Sequence, residues 1–289
     1  MRHAEKGRVL VTGASGFIGR HLCTQLSRLG HEVVAVSRSG GFDITSDTLP
    51  LQGVTQVIHL AARTSVPASW QEPVAFHWVN AHGTLRLLEQ CRSAACPVLH
   101  VSAYIYGRPE RMPIAEDAPI AANNPYAFSK FAAEQACGFY SEHWGLPVSI
   151  VRPFNVYGPG QDSRFLIPFI VEQALDPARE RIELLDLAPR RDYIYISDLI
   201  DAIIAVAQAA ERGTFNIGSG TSDSVAEVAS KVAALAGTHK PVVAVGVPRQ
   251  NEIADVRADI SRIRQVTGWE PRVSLDEGLR RVVEMARPC

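Results

Sequence analysis

The sequence predicts a doubly wound α/β fold: a parallel sheet covered by helices on both faces, with a smaller second unit intercalated into it. Short β-branched runs alternate with helical spacings through the first two thirds of the chain. The strands read as near-continuous apolar runs, as strands buried on both faces do. A glycine-rich turn, TGASGFIG at 12–19, joins the first strand to the first helix.

Taken in order, RVLV (8–11) is a strand, and FIGRHLCTQLSRL (17–29) is a helix with Ile18, Leu22, Leu26 and Leu29 at helical spacing. EVVAVS (32–37), QVIHL (56–60) and PVLHVS (97–102) are further strands. The link from Ser37 to Val57 is short, so no full helix is expected between strands two and three. EPVAFHWVNAHGTLRLLEQCRSA (72–94) reads as one long helix, and a second helix near 126–144 precedes the strand PVSIVR (147–152). After Arg152 the texture turns to Pro/Gly-rich loops, RPFNVYGPGQDSR and then DLAPRRDY. A helix near 197–210 and the strand TFNIG (214–218) return to the first sheet. A helix (225–236), a strand (242–246) and a terminal helix (275–286) complete the second unit, with a cleft expected between the two units.

Composition narrows the functional classes. Across 289 residues, 29 Lys+Arg balance 30 Asp+Glu, which excludes nucleic-acid binding driven by bulk charge. With 46% hydrophobic and 20% charged residues the chain folds around a core. Cys23, Cys91, Cys96, Cys137 and Cys289 are scattered and make no CxxC, so neither a disulfide framework nor a zinc site is indicated. MRHAEKGRVLVTG passes directly into a strand without an apolar leader, and no apolar run of about 18 residues follows. A soluble cytoplasmic protein with no membrane partner is expected.

The turn at 12–19 has a physical logic. The backbone must bend sharply, approach a ligand closely and pack the helix on the sheet, and Gly13, Gly16 and Gly19 lack the Cβ that would obstruct this. The amides of Ser15, Phe17 and Ile18 then stand at the positive end of a helix, where a pyrophosphate would bind. A glycine-rich turn that binds nothing is the plainer alternative. The strand before and the helix after favour the binding site.

TGASGFIG has the spacing GxxGxxG. Together with HLAA (59–62), YAFSK (126–130), RPFNVYGPG (152–160) and RRDYIYISDL (190–199), it resembles the extended short-chain dehydrogenases/reductases, the nucleotide-sugar epimerase/dehydratase family. The resemblance spans nearly the whole chain. Its motifs are specific for the family and much less so for individual reactions. It implies a Rossmann-type dinucleotide-binding domain over 1–156 plus 192–217, and a nucleotide-sugar-binding domain over 157–191 plus 218–289.

The resemblance assigns Leu60, Ala61 and Ala62 to the cofactor side, and Asp43-Ile44 to adenine contacts. An acidic residue after the second strand would hold the ribose 2′-hydroxyl of NAD. Here Ser37 and Arg38 stand there, and a guanidinium favours a 2′-phosphate, hence NADP over NAD. The alternative is a surface arginine beside NAD.

Tyr126 and Lys130 lie four residues apart on one helix face. A phenol with a pKa of about 10 must drop by about 3 units for neutral acid–base work, which takes roughly 4 kcal/mol. The Lys130 ammonium and an oxidised nicotinamide would supply it jointly. The family's serine falls at Ser102, five residues before Gly107, where its hydroxyl would polarise a developing ketone. Related dehydratases carry acidic residues in the next two positions. Here they are Ala103 and Tyr104, so dehydration is not expected, and Tyr104 either lines the sugar pocket or packs.

Asn155, Arg191 and Arg249 match family positions that contact a diphosphate. Asp192 and Asp198 read as braces or caps for the helix that follows them. His59 reads as an interior histidine, His77, Trp78 and His82 as metal-free, and Asn80 as a structural brace. Arg63 and Thr64 sit where cofactor contacts are plausible. The expected activity is nucleotide-sugar 4-epimerisation through a 4-keto intermediate. An NADPH-dependent 4-ketoreductase is the alternative, followed by a non-catalytic dinucleotide-binding module. The resemblance also implies a homodimer built through the helices at 72–94 and 126–144.

Overall fold

The computed structural model describes residues 7–246 and 253–287. Its centre is a six-stranded, all-parallel sheet. The first half contributes β1 (Arg8–Thr12), α1 (Phe17–Arg28), β2 (Glu32–Val36), β3 (Val54–His59), α2 (Val66–Gln71), α3 (Pro73–His77), α4 (Gly83–Ser93), β4 (Val98–Val101), α5 (Pro125–Trp144) and β5 (Val148–Pro153). The second half contributes β6 (Asn155–Tyr157), α6 (Leu166–Leu175), β7 (Ile182–Leu184), β8 (Arg190–Arg191), β9 (Tyr193–Tyr195), α7 (Ile196–Gln208), β10 (Thr214–Ile217), β11 (Asp223–Ser224), α8 (Val225–Ala236), β12 (Val242–Ala244), β13 (Asp255–Val256), α9 (Ser261–Thr267) and α10 (Leu275–Ala286).

The sheet runs β10-β5-β4-β3-β1-β2. Alternation along β1 sorts the two faces: Val9 and Val11 join a core with Leu22 and Leu26 of α1 and with α7, whereas Leu10 joins Leu87 and Leu88 of α4 and Cys137 of α5. Helices thus cover both faces, the requirement for a parallel sheet with apolar strands. Outside it, β6 pairs with β9, β7 with β12, and β8 with β11 and β13, while α6, α8 and α10 pack together.

Between β2 and β3 stands a single 3-10 turn, Arg38–Gly40, as the short link predicts. The long helix expected at 72–94 runs unbroken from Pro73 to Ser93, and a short helix, α2, precedes it. Glu72 separates α2 from α3, Pro73 starts the new segment, and a π-helical stretch, Trp78–His82, leads into α4. The loop texture after Arg152 concealed α6, whose LIPFIVEQAL lies among proline and glycine signals. No helix among the described residues is long and apolar enough to cross a membrane.

Candidate active site

The glycine loop closes onto the C-terminal ends of β1 and β3. Gly13 has φ +71°, and a Cβ there would stand 2.7 Å from the Ala61 amide nitrogen. At Gly19 a Cβ would fall 2.2 Å from the Gly13 carbonyl oxygen. Both positions are glycine for reasons internal to the fold. Gly16 differs, since a Cβ there would meet the Gly13 carbonyl oxygen at 3.2 Å, tight without being prohibitive. That leaves room for an anion approaching the backbone. Gly16 caps α1 with no side-chain hydrogen bond and no acid in the first turn, so the Phe17 and Ile18 amides present donors and a positive dipole end. Leu60 N donates to the Thr12 carbonyl and Ala61 N to the Thr12 hydroxyl, which holds the segment running through Ala62 beside the loop. These residues fit the pyrophosphate of a dinucleotide.

At the adenosine end, Ser37 caps the 3-10 turn and Arg38 is exposed. Ser39, which the sequence reading missed, donates to the Ser15 hydroxyl at 2.8 Å and lies 3.3 Å from the Ser37 hydroxyl. A row of three hydroxyls therefore borders Arg38; the run SRSG was its only signal in the sequence. Asp43 Oδ1 accepts from the Thr45 amide (2.8 Å) and hydroxyl (2.7 Å), and these bonds hold its carboxyl below the usual range. The Ile44 side chain is buried in the core against Gly83, so an adenine contact from Ile44 falls to its backbone.

The chemistry-bearing residues converge on the end of β4. Asn124 caps α5 by accepting from the Ala127 amide, and Pro125 opens the helix, which sets Tyr126 in its first turn. Tyr126 packs edge-on against Phe76 at 6.4 Å. Burial, then the nearby Tyr104, push the phenol above its ordinary value, while the helix dipole favours its anion. Lys130, one turn on, is almost fully buried and donates to the Val101 carbonyl at 2.8 Å and to His100 Nε2 at 3.3 Å. Burial lowers its ammonium to about 8, partly offset by Glu134. Ser102 follows Val101 directly. Its hydroxyl is buried and has no hydrogen-bond partner among the described residues, so a donor is left over there.

His59 is the interior histidine the sequence predicts. Thr84 donates its hydroxyl to the Asn80 carbonyl (2.6 Å), so it accepts from His59 Nε2 (3.0 Å), leaving Nδ1 to accept from Thr12 (2.7 Å). Asn80, placed by the π-helical stretch, joins the Arg63 backbone to the Ser129 hydroxyl and so braces the β3 end against α5. Arg63 itself pairs with Glu72.

On the substrate side, Tyr104 stacks on Phe154 with ring centroids 5.4 Å apart. Asn155 donates its side-chain amide to the Asp192 carbonyl (3.0 Å), and Arg191 Nη1 donates to the Arg190 and Ile253 carbonyls (both 2.7 Å). Arg249 lies outside the described residues. Tyr193, also missed, has a buried hydroxyl without a hydrogen-bond partner among the described residues, with Arg191 and Tyr104 near enough to influence its acidity. Asp192 and Asp198 do brace the fold, yet neither caps α7. Asp192 accepts from Ser219, Gly220 and Ala258, and Asp198 from the Arg272 and Val273 amides. The described residues hold no cluster of His, Cys, Asp or Glu that would bind a metal.

The chain is similar to proteins of three reaction types. It is 33% identical to a UDP-glucose 4-epimerase of Mycolicibacterium smegmatis, covering 97% of this chain and 98% of the relative. It is 30% identical to a GDP-6-deoxy-D-mannose reductase of Pseudomonas aeruginosa, over 96% of each. A solved NAD dependent-NDP-hexosamine 5,6-dehydratase, TunA, of tunicamycin biosynthesis, superposes with a TM-score of 0.90 at 32% identity, over 97% of this chain and 98% of that one. Near-equal likeness to three reactions identifies the family and leaves the reaction to the site. Residues 9–218, which carry the glycine loop, the Ser102–Tyr126–Lys130 cluster and the whole central sheet, match the model of the NAD dependent epimerase/dehydratase family, and the chain belongs to that family.

Proposed function

We propose that the protein is a nucleotide-sugar 4-epimerase working through a 4-keto intermediate. The observation that carries this reading is the unpartnered, buried Ser102 hydroxyl followed by Ala103 and Tyr104. It offers a ketone-orienting donor with no carboxylate beside it to eliminate water, which separates this site from dehydration. All three chemistry-bearing side chains are present, which speaks against a non-catalytic module.

A bound NADP or NAD would provide the hydride chemistry, accepting the hydride of the sugar C4 and returning it. The glycine loop and the Leu60–Ala62 segment hold the pyrophosphate region. Tyr126 carries the proton of the sugar C4 hydroxyl, Lys130 supports its loss, and Ser102 orients the oxygen. Asn155 and Arg191, with Arg249, hold the diphosphate while the sugar turns. In this reading, 1–156 plus 192–217 form the cofactor domain, and 157–191 plus 218–289 the substrate domain. Two copies would pair through α3, α4 and α5, where Val74, Trp78, Leu85 and Phe128 are exposed.

One observation favours a second reading. The Ser37, Ser39 and Ser15 hydroxyls beside Arg38 suit a 2′-phosphate, and an NADPH-dependent 4-ketoreductase would exchange that cofactor at every turnover. The test incubates the protein with UDP-, GDP- and dTDP-hexoses without added reductant. Sugar interconversion with no net change in nicotinamide absorbance supports epimerisation. Strict dependence on stoichiometric NADPH and a 4-keto substrate overturns it in favour of reduction.

A further inference from the structure

We propose that His100 is a positioning residue for Lys130, holding the ammonium through its Nε2 acceptor so that the remaining N–H faces the reacting centre. The proposal rests on the reading of Lys130 as part of the catalytic machinery.

An ammonium has three donors and no acceptor. Lys130 directs one to the Val101 carbonyl at 2.8 Å and a second to His100 Nε2 at 3.3 Å. Because the lysine must donate, Nε2 accepts, and the imidazole is neutral with its proton on Nδ1. That Nδ1 is buried and has no hydrogen-bond partner among the described residues. An orphaned buried donor is costly, and the neighbours on the same strand, Val98, Leu99 and Val101, show that an apolar side chain suits β4. A leucine at this position would leave no orphan, so packing alone does not account for the histidine. Among the described residues the chain of hydrogen bonds from Lys130 ends at His100.

The surroundings keep His100 an acceptor. Burial first, then the Lys130 charge and His59, push its pKa well below the ordinary histidine value. His59, 5.3 Å away between ring centroids, is itself held neutral by Thr12 and Thr84. The other groups around Lys130 are all on α5: Tyr126 one turn before it, Glu134, whose charge is matched by Arg152, and Cys137. Two fixed acceptors, both on β4, set the tetrahedral ammonium, and the third donor points away from them.

The test compares wild type, His100→Gln and His100→Leu. The chain has four lysines, so carbon-13 NMR of lysine-labelled protein follows Lys130 without any ligand. Loss of the acceptor in His100→Leu should lower the Lys130 titration and reduce kcat by about tenfold, with KM and dinucleotide affinity little changed. His100→Gln, which keeps an acceptor, should restore most of both. Unchanged Lys130 titration and kcat in His100→Leu overturn the proposal, as does a folded His100→Gln that rescues neither. Should the leucine variant not fold, nitrogen-15 NMR of the wild type decides: a neutral His100 protonated at Nδ1 supports the proposal and a titrating one overturns it. If no sugar reaction is found, the functional reading fails while the lysine titration still reports the His100 contact.

Discussion

Arg152 and Glu134 form a bidentate ion pair inside the molecule. Nη2 lies 2.6 Å from Oε2, and Nε reaches both carboxylate oxygens. Nη1 donates to the Tyr106 hydroxyl (2.8 Å) and the Glu116 carbonyl (3.1 Å), and the Tyr106 hydroxyl donates to Asn216 Oδ1 (2.5 Å). The network therefore ties β5 and β10 to α5, one helical turn beyond Lys130.

Arg152→Leu strands a buried carboxylate and should cost about 3–5 kcal/mol of stability by denaturant unfolding. Replacing both partners with apolar residues of similar volume should recover much of that. A single-variant loss below about 1 kcal/mol would show that the pair does not hold the helix.

Tyr126→Phe keeps the ring against Phe76 and removes the transferable proton, so kcat should fall by about 10²- to 10⁴-fold. Ser102→Ala should cost about 10²- to 10³-fold, the range for one lost oxyanion donor. Dinucleotide binding, followed by fluorescence, should hardly change in either. Full activity in Tyr126→Phe would remove that residue from the chemistry.

Arg38→Ala should weaken NADP binding by about 10- to 100-fold, the value of one charge-assisted bond, and leave NAD binding nearly unchanged. Ser39→Ala should act in the same direction with a smaller effect. Calorimetric titration measures both, and equal wild-type affinity for the two cofactors would refute the 2′-phosphate assignment.

His59 makes stability depend on pH. Burial, with the Lys130 charge, lowers its pKa from 6.5 to about 3 in the fold, so below 6.5 the unfolded chain takes up a proton that the native state refuses. Stability should therefore fall as pH drops from 6.5 towards 3, by about 2 kcal/mol at about pH 5 from this residue. His59→Gln should flatten that slope by the same amount, measured by denaturant unfolding at both pH values. An identical slope in the variant would mean that His59 is protonated in the native state.

Local features were legible in the sequence because local physics produces them. Strand–helix alternation, the glycine loop, the Tyr126–Lys130 spacing and the interior His59 each depend on residues close together in the chain. What escaped the sequence was long-range. Ser39 meets Ser15 across the loop, His100 meets Lys130 across thirty positions, and Tyr193 comes near Tyr104 only after folding. The π-helical insertion at Trp78–His82 was hidden for another reason: its residues keep helical spacing, and one extra residue per turn leaves little trace in composition.

Asp192 has a mechanical consequence. Its carboxylate accepts from the Ser219 amide and hydroxyl, the Gly220 amide and the Ala258 amide, and its carbonyl accepts two bonds from Asn155. The segments that begin β6, follow β10 and follow β13 are joined at one point. Substitution therefore has little freedom at this base, where any displacement would break several bonds at once. Arg108, Pro109 and Met112, which line a cavity with Ile253, make no bond to this carboxylate. Residues outside that set of bonds can be exchanged without loosening it.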